Sequence, residues 1–491
     1  MTEAYSKLLE RFQETALLSS SASLLGWDQE TYLPKKGIAF RAKQSAYFQG
    51  KIHALSTASE VGDWISACED ASNGEDTIEN ANVREWRHGY DRATLISQDL
   101  VEEFAQCRAL ALNSWQQARE ESDFSVFQPH LEKLIELSIQ KAEAWGYGDT
   151  RYDALLETYE RGANQKSVAA VFDDLKPKIV ELVAEATAGG EKENPLHGPA
   201  PYHAQQKFNR EVAEAFGFDF DAGRIDTAAH PFCSGVGPGD TRMTTRYDEN
   251  DFTSSLFGVM HECGHGLYDQ GLDSDAHGTP VGDAVSLGIH ESQSRLWENH
   301  IGRGRAFWSH WLPRAAELFP HIAGLSLDEV VRAVNTAQKS FIRVEADEVT
   351  YDLHILLRFG IESRLISGEL AVADLPAAWN EEFENMFGLK VDKDSNGCLQ
   401  DIHWSMGAFG YFPTYTLGNL NAAQLFKYAT TKNGDVATAI DAGNFAPLLG
   451  WLRENVHVHG SRYMPQDLIE RVTGETTQAQ YHLEHLRERY L

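Results

Sequence analysis

Positive charge is scarce in this chain. Lys and Arg number 43 against 73 Asp and Glu, a formal net charge of −30. Phosphate backbones are bound through basic patches, so a nucleic-acid partner is excluded, and an anionic membrane surface is disfavoured for the same reason. The acidic balance favours solubility and says little about fold. Cysteine is also sparse. Cys68, Cys107, Cys233, Cys263 and Cys398 are odd in number and scattered, with no C-x-x-C pair. That rules out a disulfide framework and fits a reduced, cytoplasmic compartment. Long apolar runs are missing too. Phe445 to Leu452 is too short to span a bilayer, and Met1 to Lys7 lacks the basic start and apolar stretch of a signal peptide. There is no internal repeat and no low-complexity segment. With 42% apolar residues the chain can bury a large core, and its length admits two to four domains or one large helical body.

Helical periodicity is abundant. Tyr5, Leu8, Leu9 and Phe12 share one helical face. Leu100, Phe104, Cys107, Ala111 and Trp115 step by three or four, as do Phe127, Leu131, Leu134, Ile135 and Ile139 apart from one adjacent pair, and Val168, Phe172, Leu175, Ile179 and Leu182. These stripes predict core faces of helices. The stretch 187–201, rich in Gly and Pro, predicts a loop or subdomain hinge. Thr241 to Tyr247 is β-branched, aromatic and partly alternating, and predicts a short strand that could pair with an extended peptide by strand addition.

The chemistry begins at His261-Glu262-Cys263-Gly264-His265, which reads H-E-x-x-H. On a helix, residues i and i+4 share a face, so both imidazoles can approach one ion, while Glu262 is placed to handle the proton of a water there. Thr253 to Ser255 offers an N-cap and Gly271 a stop. Catalytic zinc takes three protein ligands and keeps one position open. A second apolar-periodic run, Val285 to Trp297, carries His290 and Glu291. Only one of two neighbours on a helix can face the metal, so Glu291 is the candidate third ligand and His290 its rival. Cys263 faces away from the histidines and reads as a small buried side chain. Further on, Arg343 and Asp347 have the i, i+4 spacing of a helical pair. His403, Tyr411 and Tyr415 stand in or beside a Gly- and aromatic-rich loop and are candidate hydrogen-bond donors to a reacting oxygen.

Five blocks in order, Asp240 to Thr244, His261 to His265, His290 to Gln293, Ile342 to Asp347 and Gly397 to Trp404, resemble the carboxypeptidase Taq family of metallocarboxypeptidases. Trp27-Asp28 and Thr473-Gly474-Glu475 extend the resemblance over nearly the whole chain. It implies a mainly α fold: one catalytic domain over 1–491, with a long substrate cleft. A small antiparallel β element is expected beside the metal-binding helix. It implies a homodimer acting on peptides with a free carboxyl end and releasing single terminal residues with broad preference. His261, His265 and Glu291 would bind one divalent ion, zinc by default, with cobalt or manganese able to fill such a site. Glu262 would be the general base and Arg343 the receptor of the terminal carboxylate. Arg242 would line the cleft, and His403 with Tyr411 or Tyr415 would steady the oxyanion. The alternative is a zinc oligopeptidase or endopeptidase that needs no free carboxyl end.

Overall fold

The computed structural model describes residues 2–190 and 193–491. Part of the expected hinge at 187–201, namely Glu191 and Lys192, therefore lies outside the described residues. Among the described residues the chain forms twenty α-helices and one three-stranded sheet, the mainly helical architecture that the stripes predict. None of these helices is long and apolar enough to cross a membrane. The helices divide between two compact units, each built from three separate segments. The first takes residues up to 93, then 193–334 and 422–476; the second takes 94–190, 335–421 and 477–491.

The second unit is organised around the stripes read from the sequence. Helices Gln98–Glu121, Phe124–Trp145 and Gln165–Ala186 bury Ala111, Trp115, Leu131, Leu134, Phe172 and Leu175 together. Helix Glu348–Ser367 packs into the same core through Val349, Leu353 and Leu357. Its Asp352 is fully buried, yet both oxygens are engaged: Thr416 Oγ1 and Asn419 Nδ2 donate to Oδ1 at 2.8 and 2.9 Å, and His482 Nε2 lies 2.7 Å from Oδ2. A buried carboxylate survives only with such partners.

In the first unit, helix Glu3–Thr31 packs Tyr5 and Leu8 against Val61, Ile65 and Trp86. The larger core of this unit holds the H-E-x-x-H helix, Phe252–Asp269, hereafter the motif helix. Its cap is Asp251, whose carboxylate accepts the Thr253 N–H at 2.9 Å, two residues ahead of the earliest cap expected from sequence. Leu256, Val259, Met260, Cys263 and Leu267 are its buried face.

Beside this helix lie strands β1 (Gly223–Thr227), β2 (Cys233–Gly237) and β3 (Asp240–Thr245), in the order β1-β3-β2. The sheet is mixed rather than antiparallel throughout: β2 runs antiparallel to β3, but β1 runs parallel to it. The expected strand at Thr241 to Tyr247 is thus the central one. Its two edges are already paired, so it cannot take a peptide by strand addition; the free edges belong to β1 and β2.

Candidate active site

Two helices of the first unit cross at very short range to build a cluster of donors. The ligand helix, Leu287–Arg295, is capped by Ser286, which accepts the Ile289 N–H at 3.1 Å. Gly264 of the motif helix allows the approach. A Cβ there would sit 2.5 Å from the Gln293 carbonyl oxygen and 2.6 Å from Ser294 Cα. Contact this close sets Glu291 opposite the two histidines. His261 Nε2 and His265 Nε2 lie 3.6 and 3.5 Å from the same Glu291 oxygen, and one ligand atom from each residue falls within a 4.8 Å group. With bonds of about 2.0–2.1 Å, tetrahedral ligand atoms stand about 3.4 Å apart, so the set fits a zinc-like ion.

The remaining ring nitrogens settle the tautomers. His261 Nδ1 is 2.9 Å from Glu298 Oε2, and His265 Nδ1 is 3.1 Å from the His290 carbonyl oxygen. Both partners only accept, so each Nδ1 carries the proton and each Nε2 lone pair is left to the group. The rival ligand His290 is turned elsewhere: its Nε2 meets Asp269 Oδ1 at 3.2 Å, and its ring stacks on His265 at 4.3 Å.

Charge is balanced locally. Arg295 Nε binds Glu291 Oε1 at 2.7 Å, while Arg295 Nη1 and Arg303 Nη2 each reach Glu298 at 3.3 Å. Burial by itself would raise both carboxyls. For Glu291, Arg295 and the two histidines outweigh it and hold the group well below the ordinary carboxylate range; for Glu298, Arg295, His261 and Arg303 hold it at about 2. Glu262 has no such cation. Burial, with Glu291 and Glu298 adding to it against the two neighbouring histidines, pushes its carboxyl up to about 7. A proton acceptor poised near neutrality suits a general base, and a bound cation would draw it down again. Cys263 is buried in the core, where burial pushes its thiol up.

Sequence reasoning did not find Glu298, Arg295 or Arg303. Glu298 lies seven residues after Glu291, within a π-helical stretch, Leu296–Gly302, that follows the ligand helix. Such turns are rare and concentrate at functional sites. The first unit also holds Arg242, on β3. Its fork grips Asp240 at 2.7 and 2.8 Å, and its guanidinium lies 4.3 Å from the Trp27 ring centre.

Arg343, His403, Tyr411 and Tyr415 gather in a second cluster, within the second unit. Arg343 is buried on a 3₁₀ turn, and its partner is not Asp347. The helical pairing fails because the chain is extended at Ala346; Asp347 instead caps helix Glu348–Ser367, accepting from Val349 and Thr350 at 2.9 and 3.0 Å. Arg343 Nε and Nη2 bind Asp401 Oδ1 at 3.0 and 2.8 Å, and Nη1 donates to Tyr351 Oη at 2.8 Å. His403 Nε2 lies 3.3 Å from Tyr415 Oη, whereas Tyr411 meets His403 as a ring, 5.2 Å between centres. Burial pushes the His403 imidazole down to about 4, so it is neutral at pH 7.

Comparison with known proteins gives these clusters a setting. The sequence profile of the family described as Carboxypeptidase Taq (M32) metallopeptidase matches residues 7–490. Thermostable carboxypeptidase 1 of Thermus thermophilus is 44% identical over 501 residues, which cover 99% of this chain and 98% of that relative. A solved M32 carboxypeptidase from Deinococcus radiodurans matches with a TM-score of 0.96 at 38% identity, covering 100% of this chain and 99% of its own. A Pyrococcus furiosus carboxypeptidase structure matches with a TM-score of 0.97 at 35% identity, again covering 100% and 99%. On coverage this complete in both directions, the chain belongs to the carboxypeptidase Taq family of metallopeptidases and is a metallocarboxypeptidase.

Proposed function

We propose that this enzyme releases single residues from the free carboxyl ends of peptides, with broad side-chain preference, as one catalytic domain over 1–491. The observation that carries the hydrolytic part is the close group of His261, His265 and Glu291 with the buried Glu262 beside it. Those three residues hold a divalent ion, zinc by default and cobalt or manganese as substitutes, and the ion when bound supplies a Lewis acid that acidifies water and polarises a carbonyl.

The chain's own residues do the rest. Glu298 and the His290 carbonyl keep the two imidazoles in the tautomer that ligates. Glu262 accepts the proton of the attacking water and passes it to the departing amine. Arg343 receives the terminal carboxylate, since a guanidinium offers that group a planar fork. Neutral His403, with Tyr415 at hydrogen-bond distance, donates to a substrate oxygen; Tyr411 packs against it in support. Arg242 steadies the substrate only as far as its bond to Asp240 allows. A homodimeric, cytoplasmic protein is part of the same reading.

Product analysis by mass spectrometry tests it, using a mixed peptide set as free acids and as carboxyl-terminal amides. Free acids should lose one residue at a time, and amides should react at least about tenfold more slowly, as loss of a charge-assisted pair implies. A chelator should stop both reactions. Glu262→Gln should keep the metal and lose about 10²- to 10⁴-fold in kcat. Internal cleavage of amides at the free-acid rate would establish an endopeptidase.

A further inference from the structure

The second cluster contains more than the receptor reading uses. Asp401 is shared by two arginines, one on each oxygen. Arg343 holds Oδ1, while Arg358 Nε and Nη2 hold Oδ2 at 2.7 and 2.5 Å. The last terminal nitrogen of Arg358 is spent on the His354 carbonyl oxygen at 2.6 Å. Arg358 is fully buried and walled by Trp379 and Phe412, whose ring centres lie 4.7 and 5.3 Å from the guanidinium carbon. That burial, and not the number of its bonds, withholds its two remaining N–H groups from a ligand.

Arg343 uses the same number of its five N–H groups, three, by Asp401 twice and Tyr351 once, but its side chain keeps 7% exposure against 1% for Arg358. One N–H on each terminal nitrogen remains without a hydrogen-bond partner among the described residues. Those two N–H groups are the donors Arg343 retains for the two oxygens of a carboxylate. Beside Arg343, His403 is buried and its Nδ1 has no hydrogen-bond partner, 4.0 Å from Asp401 Oδ1.

Charge points the same way. Two guanidiniums share one carboxylate, and His403 and His354 are both held neutral by burial. The other carboxyl that feels Arg358, Glu362, is engaged by Tyr152, Trp404 and the Gly410 N–H at 2.7–2.9 Å. Those donors favour the charged form of Glu362, but burial pushes its carboxyl up to about 7, so near neutrality it offsets only part of the second arginine, and uncompensated buried charge is costly. A monoanion relieves that cost.

We infer that Asp401 and Arg358 are positioning residues: Arg358 clamps Asp401 from behind, and Asp401 fixes Arg343 so that its two remaining donors take one carboxylate. This rests on the reading of Arg343 as the carboxylate receptor. The natural ligand class is a peptide or amino-acid carboxylate, a planar monoanion. A dianion would bring more charge than the cluster can compensate.

The test is inhibition of the metal-loaded enzyme by an N-acetyl amino acid and by its amide, with metal content and thermal unfolding measured on each variant. Arg343→Ala should raise the inhibition constant of the acid ten- to a hundredfold and leave that of the amide unchanged. Asp401→Asn and Arg358→Met should each raise it at least fivefold, through binding and not through kcat on amidated peptides. Arg358→Lys, which keeps the cation but not the fork, should recover part of the Arg358→Met loss; if Asp401→Asn does not fold, the two Arg358 variants decide. If Arg343→Ala loses acid selectivity while folded Asp401 and Arg358 variants keep it, the positioning inference falls and the receptor reading stands. If Arg343→Ala itself keeps acid selectivity, the receptor reading fails and takes the inference with it.

Discussion

Glu298→Gln is the sharpest perturbation of the metal cluster, because the two side chains are nearly isosteric. The wild-type carboxylate is buried, 2.9 Å from His261 Nδ1, and held at about 2 by Arg295, His261 and Arg303 against the effect of burial. The amide removes its charge and adds a donor. If that NH₂ group turns to Nδ1, the imidazole proton must move to Nε2, the atom that faces Glu291 at 3.6 Å. A protonated Nε2 cannot ligate. Loss of an outer partner of a ligating histidine typically weakens metal binding about ten- to a hundredfold, or about 1.4–2.8 kcal/mol at 1.4 kcal/mol per decade. Competition with a chromophoric chelator reads this directly, with circular dichroism as the control for folding. Glu298→Asp keeps the charge on a shorter stem and should fall between wild type and Glu298→Gln. A folded Glu298→Gln protein with wild-type zinc affinity would refute the orienting role.

Further outcomes follow from particular positions. Gly264→Ala drives a Cβ into the Gln293 backbone at 2.5 Å, so it should cost about 1–3 kcal/mol of stability and weaken metal binding as the helices part. Gly360→Ala, at an exposed helical position with nothing within 4 Å, should be neutral or stabilise by up to about 1 kcal/mol in the same thermal-unfolding assay. His403, pushed down by burial to about 4 from an ordinary 6.5, should show no imidazole titration by NMR between pH 5 and 8; a midpoint near 6.5 contradicts its burial. Between about pH 4 and 6.5 the unfolded chain binds the extra proton, so stability owed to His403 is complete above pH 6.5 and lost as pH falls through that window. His403→Gln should flatten that part of the stability profile.

Much of the first cluster was legible in the sequence because its logic is local. The i, i+4 spacing places two imidazoles on one helical face whatever the tertiary fold, and a second periodic run supplies the neighbour that carries Glu291. The choice between His290 and Glu291 needed coordinates, since adjacent residues differ only in direction. Glu298 escaped because the helix widens to π geometry before it, and no periodicity argument anticipates that change. The Arg343–Asp347 expectation failed for the opposite reason: it assumed a helix where the chain makes a 3₁₀ turn and a cap. The true partner, Asp401, is 58 residues away. β1 and β2 are five residues each, and β2 has glycine at two of its positions, so neither carries the alternation that revealed β3. Without them the central place of β3 could not be known.

The last helix, Ala479–Tyr490, bears on how the chain is made. It brings Leu483 and Leu486 to the second core and His482 to Asp352. Everything else in that unit, from residue 94 onward, precedes it in the order of synthesis. Multidomain chains commonly fold from the amino terminus as each domain emerges. Here that route is closed to the second unit. Until its final turns leave the ribosome, its apolar core lacks one wall and a fully buried carboxylate lacks its histidine. A nascent chain stopped near residue 476 is thus a client for chaperones or proteases, and an affinity tag belongs where it leaves this helix free to dock last.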